Sequence, residues 1–124
     1  IKGQQHELYL VYPQGNYIRP ADSKPYLVIG EVKYGKPILD RVIKPTVSIG
    51  DASRCALISM DSTLKSDLTV GPPIDFAVLK KDDDNLSMLE CLNVTDENYA
   101  MVCNQWSEGI FKVFDSFSRF DWEK

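Results

Sequence analysis

The sequence has only one histidine and three cysteines among its 124 residues, and it has no run of 18 apolar residues. The shortage of imidazole and thiolate argues against a zinc-type metal site. The missing apolar run argues against a membrane-spanning helix. No segment combines basic with aromatic residues, and the net charge is −4, which argues against a nucleic-acid groove. We therefore expect no metal, no cofactor, no membrane contact and no nucleic-acid partner.

The spacing of the cysteines and the surroundings of the histidine match neither a C-x-x-C motif nor a catalytic triad. Cys55, Cys91 and Cys103 are odd in number, lack C-x-x-C spacing and lie in apolar surroundings. Such cysteines are typically buried, reduced thiols, so we expect all three to be buried in a cytoplasmic protein. His6 has no serine and aspartate in triad order around it, and we interpret it as a surface residue.

The length and the composition suit one domain with its own core. The chain is 44% hydrophobic, and a chain of this size buries roughly 65% of its unfolded surface. We therefore expect residues 1–124 to form a single unit.

The first 30 residues predict three strands. Glu7–Tyr12 and Tyr17–Arg19 are rich in aromatic and branched residues, and the turn residues Pro13–Asn16 between them predict a hairpin. Tyr26–Ile29 is an unbroken apolar run that Gly30 ends, which is typical of a strand covered on both faces.

Two helices are predicted next. Lys36–Ile43 has helical apolar spacing, with Pro37 in its first turn. Ser48 and Asp51 resemble a capping box at the start of a second helix. Residues of one face of that second helix are small or apolar and are expected to be buried: Ala52, Cys55, Ala56, Met60, Thr63 and Leu64.

Gly71-Pro72-Pro73 interrupts the helical pattern, because glycine ends helices and a Pro-Pro pair cannot continue one. We expect a sharp passage from helix to the strand Ile74–Lys80, without spare residues, at what could be the floor of a site. The polar residues Asp82–Asn85 then predict a turn, and Leu86–Val94 the second strand of a hairpin.

The last element is predicted to be a helix that begins with Asp96 and Glu97, where acids favour a helix start. It carries an apolar stripe that we interpret as core: Tyr99, Val102, Cys103, Trp106, Ile110, Val113, Phe114 and Phe117. Strands that pair by hairpins, with helices in blocks, predict an α+β fold with mostly antiparallel strands and helices on the outer faces.

Several blocks of the sequence carry a family resemblance. They are residues 29–41 (IGEVKYGKPILDR), 57–67 (LISMDSTLKSD) and 70–75 (VGPPID), with agreement also at residues 6–16 and, more loosely, through 106–109. Together they resemble the Anbu family, the bacterial proteasome-related proteins of the "ancestral beta subunit" type. The resemblance covers nearly the whole chain.

This resemblance implies a fold and an activity. The family resembles proteasome β subunits, which are N-terminal nucleophile hydrolases with a four-layer αββα sandwich. Family subunits are about twice as long, so the chain resembles the C-terminal half. The implied partners are further copies of the subunit, the missing N-terminal half and a peptide substrate.

The resemblance also implies site residues. In this superfamily the nucleophile is residue one of the mature chain, and its own α-amine can act as the base. Ile1 has no hydroxyl or thiol, so we expect the nucleophile on a preceding segment. Gly30 and Glu31 fall at the family's Gly-Ser, with Glu in place of Ser. Asp67 falls at the supporting aspartate, and Val70 replaces a second Ser.

Other interpretations of these residues stay open. Glu31 could form an ion pair with Lys33 or Lys36. Asp67 could be solvated, or could satisfy backbone groups of its loop. The hydroxyls of Ser62 and Thr63 lie in a helical pattern, where they usually bond to the preceding turn.

The alternative functional class is a non-catalytic assembly subunit that forms rings or spirals through the outer helices. A free-standing hydrolase that uses Asp67 and Ser62 ranks last. Half of a two-sheet sandwich should also leave an apolar face or edge uncovered, which predicts pairing with a second copy or with a missing N-terminal piece that stays associated.

Overall fold

The computed structural model describes residues 6–81 and 88–123. The expectations for Ile1 and for the turn Asp82–Asn85 lie outside these residues. The described elements, in chain order, are β1 (Leu10–Val11), β2 (Tyr17–Ile18), α1 (Lys36–Val42), α2 (Ile49–Ser66), β3 (Ile74–Val78), β4 (Met88–Leu92), α3 (Glu97–Asp115) and a 3₁₀ turn (Asp121–Glu123). The predicted α+β class is confirmed.

The predicted N-terminal hairpin is present, with shorter strands than expected. β1 and β2 pair antiparallel, Leu10 opposite Ile18 and Val11 opposite Tyr17. The turn closes through the Tyr12 amide, which donates to the Asn16 carbonyl at 2.8 Å. Only two residues of each strand pair, so the hairpin is short.

The predicted third strand, Tyr26–Ile29, is wrong for the part of the chain that the structure describes. A strand needs a neighbour that completes its backbone hydrogen bonds, and no described strand pairs with this segment. Tyr26 and Val28 instead pack against the cluster between α1 and α2, while Ile29 is 76% exposed. The expectation of cover on both faces is therefore wrong as well.

The helix pair α1 and α2 forms as the sequence predicts. Pro37 lies in the first turn of α1. The Ser48 hydroxyl caps α2 by accepting from the Asp51 amide at 3.0 Å, which satisfies one of the free N–H groups of the first turn. The two helices meet at a buried cluster of Leu39, Ile43 and Cys55.

The buried face of α2 differs from the prediction at three positions. Ala56 and Met60 are exposed, whereas Asp61 is buried. α1 and α3 both pack against α2, and its residues contribute to two separate buried clusters, so its buried surface is wider than one apolar stripe and includes a charged residue. The Asp61 carboxylate stays paired because Lys65, one turn later, donates to it at 2.8 Å.

α2 ends at Ser66, before Gly71, so the prediction of a sharp passage without spare residues is wrong. The Asp67 amide makes the last helical bond, to the Thr63 carbonyl at 2.9 Å. Gly71 does not have a positive φ, unlike Gly15 and Gly30. The helix ends at Ser66 because the Asp67 carboxylate accepts hydrogen bonds from the Thr69 amide and hydroxyl. These bonds compete with a further helical turn. Residues 67–73 then form the connection to β3.

The second hairpin is confirmed, again with shorter strands than expected. β3 and β4 pair antiparallel, with Ile74 opposite Leu92 and Asp75 opposite Cys91. Ile74 and Leu92 are buried against α3, where Tyr99 and Cys103 complete the cluster. The opposite face of the hairpin is open, so the expected burial of Cys91 is wrong: it is exposed, whereas Cys55 and Cys103 are buried as expected.

α3 begins at the predicted acids, and the Asp96 carboxylate caps it by accepting from the Tyr99 amide at 3.2 Å. The interpretation of its whole apolar stripe as core is wrong. The first turns are buried at Tyr99 and Cys103, but the later residues of the stripe are exposed, because no described element covers them: Ile110, Val113, Phe114 and Phe117.

Candidate functional site

Gly30 and Glu31 form a tight turn before α1. Gly30 has a φ of +76°, a conformation that residues with a Cβ rarely adopt. The turn brings the Glu31 carboxylate onto Lys33: one oxygen accepts from the Lys33 amide at 2.9 Å. The other oxygen lies 3.9 Å from the Lys33 ammonium group. Glu31 thus forms the ion pair with Lys33 that the sequence left open, whereas Lys36 pairs with Asp40.

Asp67 stands directly after α2, with its side chain fixed by its own loop. One carboxylate oxygen accepts from the Thr69 amide at 2.8 Å and from the Thr69 hydroxyl at 2.7 Å. The Thr69 hydroxyl, then the Thr69 amide and the positive charge of Lys33 hold the pKa of Asp67 below its usual value. Asp67 therefore satisfies backbone groups of its loop, as one sequence interpretation expected, and is held as a carboxylate.

The start of α1 packs against the C-terminal half of α2. Gly35 caps α1 and is buried against Ser59 and Thr63 of α2. The carbonyl of Thr63 in turn accepts from the Asp67 amide. The Lys33 ammonium group lies 3.9 Å from a Glu31 oxygen, and its positive charge helps to lower the pKa of Asp67.

We call Gly30, Glu31, Lys33 and Asp67 the carboxylate site. Each of the two carboxylates is oriented by a backbone amide, and an oriented carboxylate can accept hydrogen bonds from an amine. Val70 follows Asp67 in the same turn, where its amide donates to the Asp67 carbonyl at 3.2 Å. Its side chain is apolar and contributes no hydrogen bond there.

The remaining candidates occupy ordinary structural positions. The Thr63 hydroxyl donates to the Ser59 carbonyl at 3.0 Å, the helical back-bond that the sequence predicts. His6 is exposed, as expected.

Across residues 6–81 and 88–123, no group of three or more His, Cys, Asp and Glu side chains is placed to hold a metal ion. Within the same residues, no helix is both long enough and apolar enough to cross a membrane.

A network of hydrogen bonds around Asp40, which was not predicted from the sequence, anchors the segment before Gly30. The Asp40 carboxylate accepts from Tyr26 at 2.6 Å, from Lys24 at 2.7 Å and from Lys36 at 2.8 Å. Lys24, then Lys36 and Tyr26, hold the pKa of Asp40 far below its usual value. The i, i+4 spacing of Lys36 and Asp40 was the one visible signal. The network fixes the approach to Gly30 against α1.

Solved structures identify the family. The chain matches Anbu (Gly-1) mutant from Hyphomicrobium sp. strain MC1 at 40% identity with a TM-score of 0.91, over 98% of this chain. It matches Anbu (ancestral beta-subunit) from Yersinia bercovieri at 39% identity with a TM-score of 0.92, also over 98% of this chain. The chain belongs to the Anbu family.

The match extends to an assembled relative. The structure described as a helical assembly of the Anbu complex from Pseudomonas aeruginosa is 38% identical, with a TM-score of 0.89 over 97% of this chain. This chain covers 52%, 52% and 50% of these three relatives, so it spans about half the length of an Anbu chain. No protein-family model and no curated protein matches the chain.

Proposed function

We propose that this chain is the C-terminal half of a proteasome-type subunit that hydrolyses amide bonds when it is joined by a nucleophile on another polypeptide segment. The observation that carries the proposal is that the Asp67 and Glu31 carboxylates are each fixed by a backbone amide, at the positions where the Anbu resemblance implies supporting groups. Residues 1–124 act as one unit in this proposal.

The proposed role of the carboxylate site is to hold the α-amine of the nucleophile. Such an amine has a pKa near 8 and can take the proton of a neighbouring hydroxyl. Asp67 is held ionised by Thr69 and would orient the amine. Glu31 adds a second negative charge where the family has a neutral serine, which would favour the protonated amine, so that less of the amine is free to accept a proton at neutral pH.

The open face of the β3–β4 hairpin supports pairing with the missing half. Asp75, Ala77, Leu89 and Cys91 are exposed on this face, while the opposite face packs against α3. In a four-layer sandwich, a second sheet covers such a face. We propose that the N-terminal half of the subunit is the partner.

The test is to express this chain together with the half of an Anbu subunit that it does not cover, processed to begin with threonine. The purified complex is treated with an epoxyketone, and its mass is measured. The proposal expects one adduct on the first residue, because the electrophile needs both a hydroxyl and a free amine. A stable complex that forms no adduct would remove the hydrolase proposal.

A second candidate function is that of an assembly subunit without catalysis. The later turns of α3 and the facing side of α1 enclose a groove of about 680 Å³, which we call the α1–α3 groove. Its walls are mainly apolar and include Ile38, Val42, Trp106, Ile110, Val113 and Phe114. The helical assembly described for the Pseudomonas aeruginosa relative favours a contact of this kind between copies.

The two candidate functions predict different masses and different reactivities for the complex. Sedimentation of the same complex measures its mass, and the epoxyketone adduct measures its reactivity. Large assemblies without an adduct would favour the assembly function. A single-copy complex that forms the adduct would favour the hydrolase, and a monomer at high concentration would count against assembly.

A further inference from the structure

The segment that follows α3 presents two aromatic side chains to solvent. Phe120 is 64% exposed and Trp122 is 80% exposed. Their rings stack on each other, with centroids 5.6 Å apart and an angle of 8° between the ring planes. A 3₁₀ turn holds them, because the Glu123 amide donates to the Phe120 carbonyl at 3.0 Å. We call residues 119–123 the aromatic segment. It is a preorganised apolar surface that loses little conformational freedom when it binds.

The α1–α3 groove is a second open apolar surface of the same chain. Its volume of about 680 Å³ lies within the roughly 300–1,000 Å³ of pockets that enclose a drug-sized molecule. Phe117 belongs to the groove lining, but Phe120 and Trp122 do not, although they follow within five residues. Each chain therefore carries an open groove and, apart from it, an uncovered pair of rings.

The charges of the two surfaces are opposite. Within the described residues that line the groove, the one charged side chain is Arg41. Its guanidinium donates to the Pro37 carbonyl at 2.7 Å, which leaves further N–H groups for an acceptor. The aromatic segment has two acids, Asp121 and Glu123, and one basic residue. Opposite charges at the edge of an apolar contact help to set its register.

We propose that the aromatic segment of one copy docks in the α1–α3 groove of a second copy, with Phe120 and Trp122 on the apolar walls and an acid of the segment beside Arg41. The inference rests on the proposed assembly function and names the surface that the groove binds. Groove and segment are different surfaces, so the contact joins copies head to tail. A contact of this kind closes into a ring or continues as a helix, depending on the rotation between copies.

The size of the contact predicts its strength. Each buried aromatic side chain covers about 150–250 Å², so two rings and the groove surface beneath them bury roughly 600–1,000 Å² in total. A stable interface buries roughly 1,200–2,000 Å². We therefore expect a weak contact between two single copies, which becomes stable in assemblies where each copy uses both of its surfaces.

The first test presents the segment as a separate peptide. A fluorescein-labelled peptide of residues 118–123 (SRFDWE) is titrated with this chain, and its fluorescence anisotropy is measured. We expect saturable binding, which Trp122→Ala in the peptide weakens at least about tenfold, as for an aromatic hot spot. Phe114→Glu in the chain should abolish binding. Met101→Glu changes an exposed residue of α3 outside the groove lining and should leave the affinity unchanged.

A charge exchange tests the same contact without removing an apolar residue from the groove. Arg41→Glu in the chain should weaken binding of the wild-type peptide. A peptide with Asp121→Lys and Glu123→Lys should bind the Arg41→Glu chain more tightly than the wild-type peptide does. Lys44→Glu reverses another exposed charge outside the groove lining and should not reverse the preference between the two peptides.

Three results with the peptide would overturn the inference. The first is the absence of saturable binding, and the second is equal binding to the wild-type chain and to Phe114→Glu. The third is tighter binding to a monomeric chain that carries Trp122→Ala, since the groove would then hold the segment of its own chain.

The second test uses the complex of this chain with the N-terminal half, whose mass is measured by sedimentation. Trp122→Ala should lower the mass of the assemblies. Assemblies that keep their mass with this variant, or displacement of the peptide by the N-terminal half, would overturn the inference and leave the assembly function intact. A single-copy complex together with peptide binding would remove the assembly function, but the contact between groove and segment would stand.

Discussion

Gly35 lies against Ser59, where the start of α1 meets the middle of α2. A Cβ at position 35 would collide with the Ser59 hydroxyl and would lie 3.0 Å from the Ser59 carbonyl oxygen. The hydroxyl can rotate away, but the carbonyl belongs to a helix and cannot. This close approach fixes the start of α1, and with it the segment that follows Glu31, against α2.

Gly35→Ala should therefore destabilise the chain by about 1–3 kcal/mol, the usual cost of overpacking. Urea unfolding followed by circular dichroism measures the change in the free energy of unfolding. Gly109→Ala is the matched control, because a Cβ there meets nothing within 4 Å. In a helix interior this control should gain up to about 1 kcal/mol. Equal effects of the two substitutions would show that the contact with Ser59 is unimportant.

Asp67 should make the stability depend on pH. Its pKa is lowered in the folded chain, so its stabilisation is complete above its unfolded pKa of about 3.9 and is lost as the pH falls through the folded value. Asp67→Asn should thus cost more stability at pH 7 than at pH 3. Urea unfolding at several pH values measures this difference.

Thr69→Val should reproduce part of the loss seen with Asp67→Asn, since it removes the hydroxyl that donates to Asp67. In the double variant, the effect of Thr69→Val should shrink, because its partner charge is gone. A pH-independent difference between Asp67→Asn and the wild type would contradict the assigned hydrogen bonds.

The three thiols should differ in reactivity. Cys91 is exposed, whereas Cys55 and Cys103 are buried. A thiol-specific disulfide reagent should therefore modify one thiol quickly in the folded chain and the other two after unfolding. Cys91→Ser should abolish the fast phase, and Cys55→Ser should retain it.

The reaction rate of the Cys91 thiol should also report the pairing of this chain with the proposed N-terminal half. It lies opposite Asp75 on the open face of the hairpin, which the proposed N-terminal half would cover. Addition of that half should slow the fast thiol at least tenfold, to the order of a buried thiol. An unchanged rate in a purified complex would show that the partner binds elsewhere.

The α1–α3 groove should govern contacts between copies if the assembly function holds. Phe114 lies in the groove and is 67% exposed. Phe114→Glu should lower the sedimentation mass of the complex, because it places a charge in an apolar contact. Met101→Glu changes an exposed apolar residue of α3 outside the groove lining and serves as the control. Equal masses for both variants and the wild type would exclude the groove.

The local signals of the sequence predicted most of the helices. Ser48 and Asp96 begin α2 and α3 as expected, because a side-chain cap depends only on nearby residues. Strand predictions fared less well. Tyr26–Ile29 has the composition of a buried strand, but strand formation depends on a neighbour, and no described strand pairs with it.

The sequence predicted which residues belong to the candidate site, but it did not predict the contacts that position them. The resemblance to Anbu pointed to Glu31 and Asp67, and the sequence left an ion pair with Lys33 open. The contact of Gly35 with Ser59 and Thr63, which packs the segment after Glu31 onto α2, is shown by no sequence pattern. The exposed end of the α3 stripe escaped prediction for a related reason: an apolar pattern does not reveal which element covers it.

The most direct test of the central claim is the rate of peptide-amide hydrolysis by the complex of this chain with a threonine-initiated N-terminal half. We predict measurable hydrolysis by the wild-type complex and a loss of about tenfold or more for Asp67→Asn, because misplacing a catalytic group by about 1 Å can cost on the order of 10²-fold. Asp22→Asn, which changes an exposed carboxylate outside the site, should hydrolyse at the wild-type rate. Equal rates for Asp67→Asn and the wild type, in complexes of equal stability, would contradict the account.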